Sequence, residues 1–103
     1  MSMKAKTFAE LEQAEEVTFE ELEASLKYYV SVGLAIFPPT VEKIVDMVDP
    51  SVDGLDELID LVSKGLGKQI ERQDTKVARE YQDLLYYLQE RCFQRMGVVD
   101  HSR

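Results

Sequence analysis

The sequence predicts an all-α fold, a small helical bundle in which two long helices, at about residues 19–37 and 69–96, pack shorter ones. Three observations predict it. Apolar residues recur at three- and four-residue spacing through most of the chain. Capping signals punctuate those stretches. No segment alternates apolar and polar residues over a strand's length, Val98 with Val99 being too short to count. The 103 residues suffice for one core, so residues 1–103 are expected to form a single domain, with 1–6 and 98–103 as frayed tails.

The first helix is expected at about residues 7–16. Thr7 and Glu10 fit a capping box, in which the Thr hydroxyl accepts from the N–H three residues on and the Glu reaches back. Thr18 and Glu21 repeat that pattern eleven residues later and open the long second helix. On it Phe19, Leu22, Leu26, Tyr29, Val30, Gly33, Leu34 and Phe37 share one side. Its C-terminal part, residues 28–37, has Ser31 as its one polar non-aromatic side chain, and a helix apolar all round needs covering on every side. Pro38 and Pro39 are expected to stop it, because proline lacks the donor that a continuing helix needs.

Thr40 then caps a short helix through about Val48, with Val41, Ile44, Val45 and Val48 inward. Asp49-Pro50 breaks it. The next helix begins near Asp53, and Leu55, Leu58, Ile59, Val62 and Leu66 keep helical spacing until Gly65 and Gly67 weaken it. In the last helix Ile70, Val77, Tyr81, Leu84, Leu85, Leu88 and Cys92 form one stripe, and Gly97 is a stop.

Composition excludes several function classes. With 45% hydrophobic and 31% charged residues the chain is folded rather than disordered. The longest apolar run is about half of the ~20 residues that cross a bilayer, and no basic-then-apolar leader pattern opens the chain. No membrane association and a cytoplasmic address are therefore expected. Cys92 is the one cysteine and His101 the one histidine, so no internal disulfide forms and no cysteine-built metal site is expected.

Charge is uneven. Residues 1–62 have four basic and fourteen acidic side chains, whereas 63–103 have eight and six. The two halves are expected to attract. Lys64, Lys68, Arg72, Lys76 and Arg79 form a basic stripe into the last helix, but Glu71, Asp74, Glu80 and Asp83 interrupt it, and salt bridges to the acidic half are expected rather than nucleic acid.

Residues 49–60 hold oxygen side chains at the first, third, fifth and twelfth positions, Asp49, Ser51, Asp53 and Asp60, with Gly54 at the sixth. In that spacing the segment resembles an EF-hand or dockerin-type calcium loop, and the resemblance implies those four side chains and the Leu55 carbonyl as ligands. It covers these twelve residues and their flanks. Asp56 stands where an apolar residue is expected, Pro50 and Val52 are unusual fillers, and Asp60 is shorter than the usual closing Glu. The same letters read as a turn at Asp49-Pro50 and a helix cap at Asp53.

No phosphate loop, dinucleotide glycine pattern or nucleophile with a nearby base is present, so neither an enzyme nor a cofactor is expected. Interaction surfaces carry the functional expectation. With the core stripes inward, Tyr28, Val32 and Ala35 on the second helix and Tyr86 and Phe93 on the last point away from the core. Tyr and Phe are enriched where proteins meet. The expected function is thus a non-enzymatic protein–protein interaction module, an adaptor, assembly chaperone or inhibitor, acting as a homodimer on a further protein. The alternatives are a calcium-responsive module using 49–60, and an acidic mimic of nucleic acid that inhibits a DNA-binding protein.

Overall fold

The computed structural model describes residues 6–97. Five helices and no strand occur among them: α1 (Phe8–Gln13), α2 (Phe19–Val32), α3 (Pro38–Val48), α4 (Val52–Glu71) and α5 (Thr75–Arg95). The all-α bundle is as expected. Val98, Val99 and His101 lie outside the described residues, as do both expected tails except Lys6. Lys6 is tied down: its carbonyl accepts from the Ser25 hydroxyl at 2.6 Å and its ammonium pairs with Glu21 at 2.9 Å.

Both capping boxes form, at Thr7 with Glu10 and at Thr18 with Glu21. The long second helix, however, ends at Val32 rather than Phe37. Gly33 adopts φ 83°, a left-handed turn that glycine enters without steric penalty. A Cβ there would lie 2.5 Å from the Arg72 guanidinium and 3.0 Å from the Gln69 amide. The chain turns away, Ile36 is buried, and its N–H donates to Glu80 Oε1 at 3.0 Å. Leu34 and Phe37, expected inward, are exposed because they stand in this turn and not on the helix.

Pro38 and Pro39 open α3 instead of merely closing α2. At the first helical positions a missing N–H costs nothing. Phe37, not Thr40, is the N-cap residue. Likewise Ser51, not Asp53, caps α4, accepting from the Gly54 N–H at 3.2 Å.

Helix α4 continues through Gly65 and Gly67 to Glu71, so it is a third long helix. The expected helix over 69–96 is therefore two elements. Gln73 takes φ 63° in the turn between them, and Asp74 caps α5 by accepting from the Val77 N–H at 3.2 Å. Ile70 falls on the last turn of α4 and is exposed rather than part of the α5 stripe.

The α4–α5 hairpin is the main packing unit; α2 lies on α4, α3 on α5 and α1 on α3. Leu22, Leu26, Val41, Ile44, Leu55, Leu58, Leu84 and Leu88 are wholly or almost wholly buried between them. Tyr81 locks the α2 terminus to α5, since its hydroxyl lies 2.7 Å from the Leu34 carbonyl and 3.2 Å from that of Tyr29. Burial is the first cause that pushes its phenol up to about 12, so it stays a donor at neutral pH. Among the described residues no helix is long and apolar enough to cross a membrane.

Candidate interaction surface

Two faces are left uncovered. On α2, the helical period that buries Leu22, Leu26 and Val30 turns Tyr28 and Val32, one helical turn apart, outward; they are 50% and 49% exposed. Helix α1 does not cover them. Its Phe8 ring stacks on Tyr29 at 4.3 Å, and the Phe8 N–H donates to the Tyr29 hydroxyl at 3.3 Å, so α1 closes the neighbouring side. Ala35 is exposed but stands in the turn after α2, where with Phe8, Tyr29 and Phe37 it lines a shallow groove. Its expected place on a helical face with Tyr28 and Val32 is not found, because Gly33 ends the helix.

On α5, Val77, Tyr81, Leu84, Leu88 and Cys92 face inward, and Tyr86 and Phe93 are 60% and 55% exposed on the other side. The Tyr86 hydroxyl accepts from Gln82 one turn back at 3.1 Å. Since α4 packs against both α2 and α5, the two outward faces belong to different helices of one bundle. Sequence periodicity missed five large exposed apolar residues, Phe37, Ile70, Leu34, Met47 and Met96. The first two are displaced by the unexpected helix ends at Val32 and Glu71.

The attraction between acidic and basic halves is partly realised within the fold. Arg91 pairs with Asp46 at 3.0 Å and Asp49 at 3.3 Å, and Arg95 reaches Asp49 at 3.1 Å. This joins the end of α3 to the end of α5. Tyr87 adds a hydrogen bond to Asp46 and lies under the Arg91 guanidinium; burial first and Asp46 second push its phenol up to about 12. The basic stripe behaves otherwise. It is split by the turn after Glu71, and Lys64 pairs with Asp60 and Lys76 with Glu80 on their own helices, not with the N-terminal elements.

The calcium-loop spacing does not fold as a loop. Ser51 is a cap, Asp53, Gly54, Leu55 and Asp60 are inside α4, Asp60 pairs with Lys64, and Asp49 is held by the two arginines. Among the described residues no group of three or more His, Cys, Asp or Glu side chains is arranged to hold a metal ion. Glu20, Glu23, Asp49, Asp53 and Glu57 line an open cleft of about 590 Å³. There the neighbouring Glu57 carboxyl, together with burial, raises Glu23 from its ordinary value.

Cys92 is buried, its thiol 3.7 Å from Asp56 Oδ1 and 3.9 Å from the Met96 sulfur. Burial pushes the thiol up and the Asp56 charge adds to this, which disfavours the reactive thiolate. In the folded protein at neutral pH, Cys92 should react with an aromatic disulfide reagent far more slowly than in denaturant. Equal rates would show that the thiol is accessible and unprotected.

Compared with protein-family models, curated proteins and solved structures, the chain matches none.

Proposed function

We propose that this chain is a non-enzymatic protein–protein association module of the cytoplasm that works as a homodimer. The observation that carries the reading is the second, aromatic face of α5: Tyr86 and Phe93 both lie open while the opposite face of the same helix is fully packed. Large exposed aromatic side chains on a rigid helix supply contact area at little entropic cost, and they are enriched at interfaces. Tyr28 and Val32 on α2 offer a separate surface for a further protein. Two such faces let an adaptor or inhibitor hold its own copy on one and its client on the other.

Size exclusion coupled to light scattering at micromolar concentration should give twice the chain mass of 11.8 kDa. A monomer across that range removes the homodimer. Substituting Tyr28 and Val32 together by Ser should then leave the mass unchanged.

A further inference from the structure

The geometry points to an isologous dimer in which α5 pairs antiparallel with the α5 of a second copy, each Phe93 seating in the other copy's apolar pocket at the α4–α5 turn. The inference rests on the homodimer reading and specifies its surface.

Gln69, Ile70, Gln73, Thr75 and Ala78 line an open pocket of about 440 Å³ where α4 turns into α5, and roughly 150 Å³ is enough to hold a benzene ring. Ile70, 61% exposed, is its open apolar wall. At 3.6 residues per turn, Thr75, Gln82, Tyr86, Gln89 and Phe93 fall within an arc of about 60° on α5. The strip thus runs from the pocket at one end of the helix to Phe93 at the other, with the four- and three-residue spacing of a helix–helix seam, and Arg79, at its edge between Thr75 and Gln82, is its one charged member. Depletion of charge is the compositional mark of an interface centre.

A second copy is the occupant that fits both ends at once. Eighteen residues, about 27 Å, separate Thr75 from Phe93, so a twofold axis at the level of Leu84 brings each Phe93 to the other copy's Thr75 and Ala78. The contact is then reciprocal, as a closed twofold interface requires. Tyr86 lies two residues from that axis and packs against the partner copy's strip beside it.

Charge supports the same register independently. Arg79 and Glu90 lie on one edge of the strip, and neither makes a hydrogen bond or ion pair with another described residue. Their midpoint along the helix is within about 1 Å of the midpoint between Thr75 and Phe93, so the apolar match also sets Arg79 of each copy beside Glu90 of the other. Moreover α5 has four basic and three acidic side chains, whereas every other helix is net acidic. In a chain of net charge −8 it is the helix along which two copies approach with least repulsion.

Cross-linking in the full chain tests the register. In a Cys92→Ala background, Asp83→Cys places one thiol per chain within a residue of the axis, and a bismaleimide spanning about 10 Å, the usual separation of packed helices, should join two chains. Gln94→Cys, on the same helix but about 30 Å from its counterpart in this arrangement, should stay unjoined. By light scattering, Phe93→Glu should weaken the dimer about tenfold or more. Arg79→Glu and Glu90→Arg should each weaken it by about two- to fivefold and restore it when combined. A dimer that joins equally at both positions, or fails to join at Asp83→Cys, overturns this interface and leaves self-association standing. A monomeric parent chain at all concentrations overturns both.

Discussion

Leu88→Ala is expected to lower the unfolding free energy by about 2–5 kcal/mol. Leu88 has no accessible surface and lies on the inward stripe of α5, in the one core cluster that all five helices share. Removing three carbons forfeits their transfer free energy and leaves a cavity that neighbouring helices cannot collapse into, because α5 is pinned on both sides. Tyr81 ties it to the end of α2, and Arg91 with Arg95 tie it to the end of α3. Stability of a small domain totals only about 5–15 kcal/mol, so the loss is a large fraction of the whole. The measurement is the urea midpoint at unchanged slope. Leu88→Met, which nearly conserves volume, should cost less than about 1.5 kcal/mol. A loss in Leu88→Ala no larger than that would show that the site relaxes and that the packing described around α5 is loose.

What the sequence revealed and what it hid follow one division. Features set by neighbours in sequence were legible: both capping boxes, the apolar stripes, and the outward direction of Tyr28, Val32, Tyr86 and Phe93, each fixed by its spacing from buried residues on the same helix. Features set by contacts between distant segments were not. Gly33 is compatible with a continuing helix; the tight approach of Arg72 and Gln69 and the Tyr81 hydroxyl on the Leu34 carbonyl accompany the turn that ends it there. That shift takes Leu34 and Phe37 off the inward side expected for them, and Ala35 off the outward face expected for it beside Tyr28 and Val32. The break at Gln73 carries no glycine or proline, so periodicity alone predicts a single helix over 69–96 with Ile70 on its stripe. Ser51 and Asp53 are both good caps by composition, and the turn geometry after Pro50 decides for Ser51. The pocket beside Ile70, which bears on the dimer, depends on that hidden break.

Gly65 and Gly67 should respond to alanine with opposite signs, although both are interior to α4 and differ by two positions. Helix propensity alone favours alanine at either by about 1 kcal/mol. At Gly67 a Cβ would meet nothing within 4 Å, so Gly67→Ala should raise stability by about 0.5–1 kcal/mol. At Gly65 a Cβ would stand 2.6 Å from a Val30 methyl and 3.0 Å from the Tyr81 ring. Val30 is packed between α2 and α4, and Tyr81 is held by its hydroxyl, so neither yields without moving a helix. Gly65→Ala should therefore cost about 1–3 kcal/mol by overpacking, despite its better propensity. The cause is separable from the backbone by a double-mutant cycle. Val30→Ala removes the nearest methyl, so in that background Gly65→Ala should be markedly less destabilising than alone. If the two losses simply add, the close approach of α2 to α4 at Gly65 is not what excludes the methyl group.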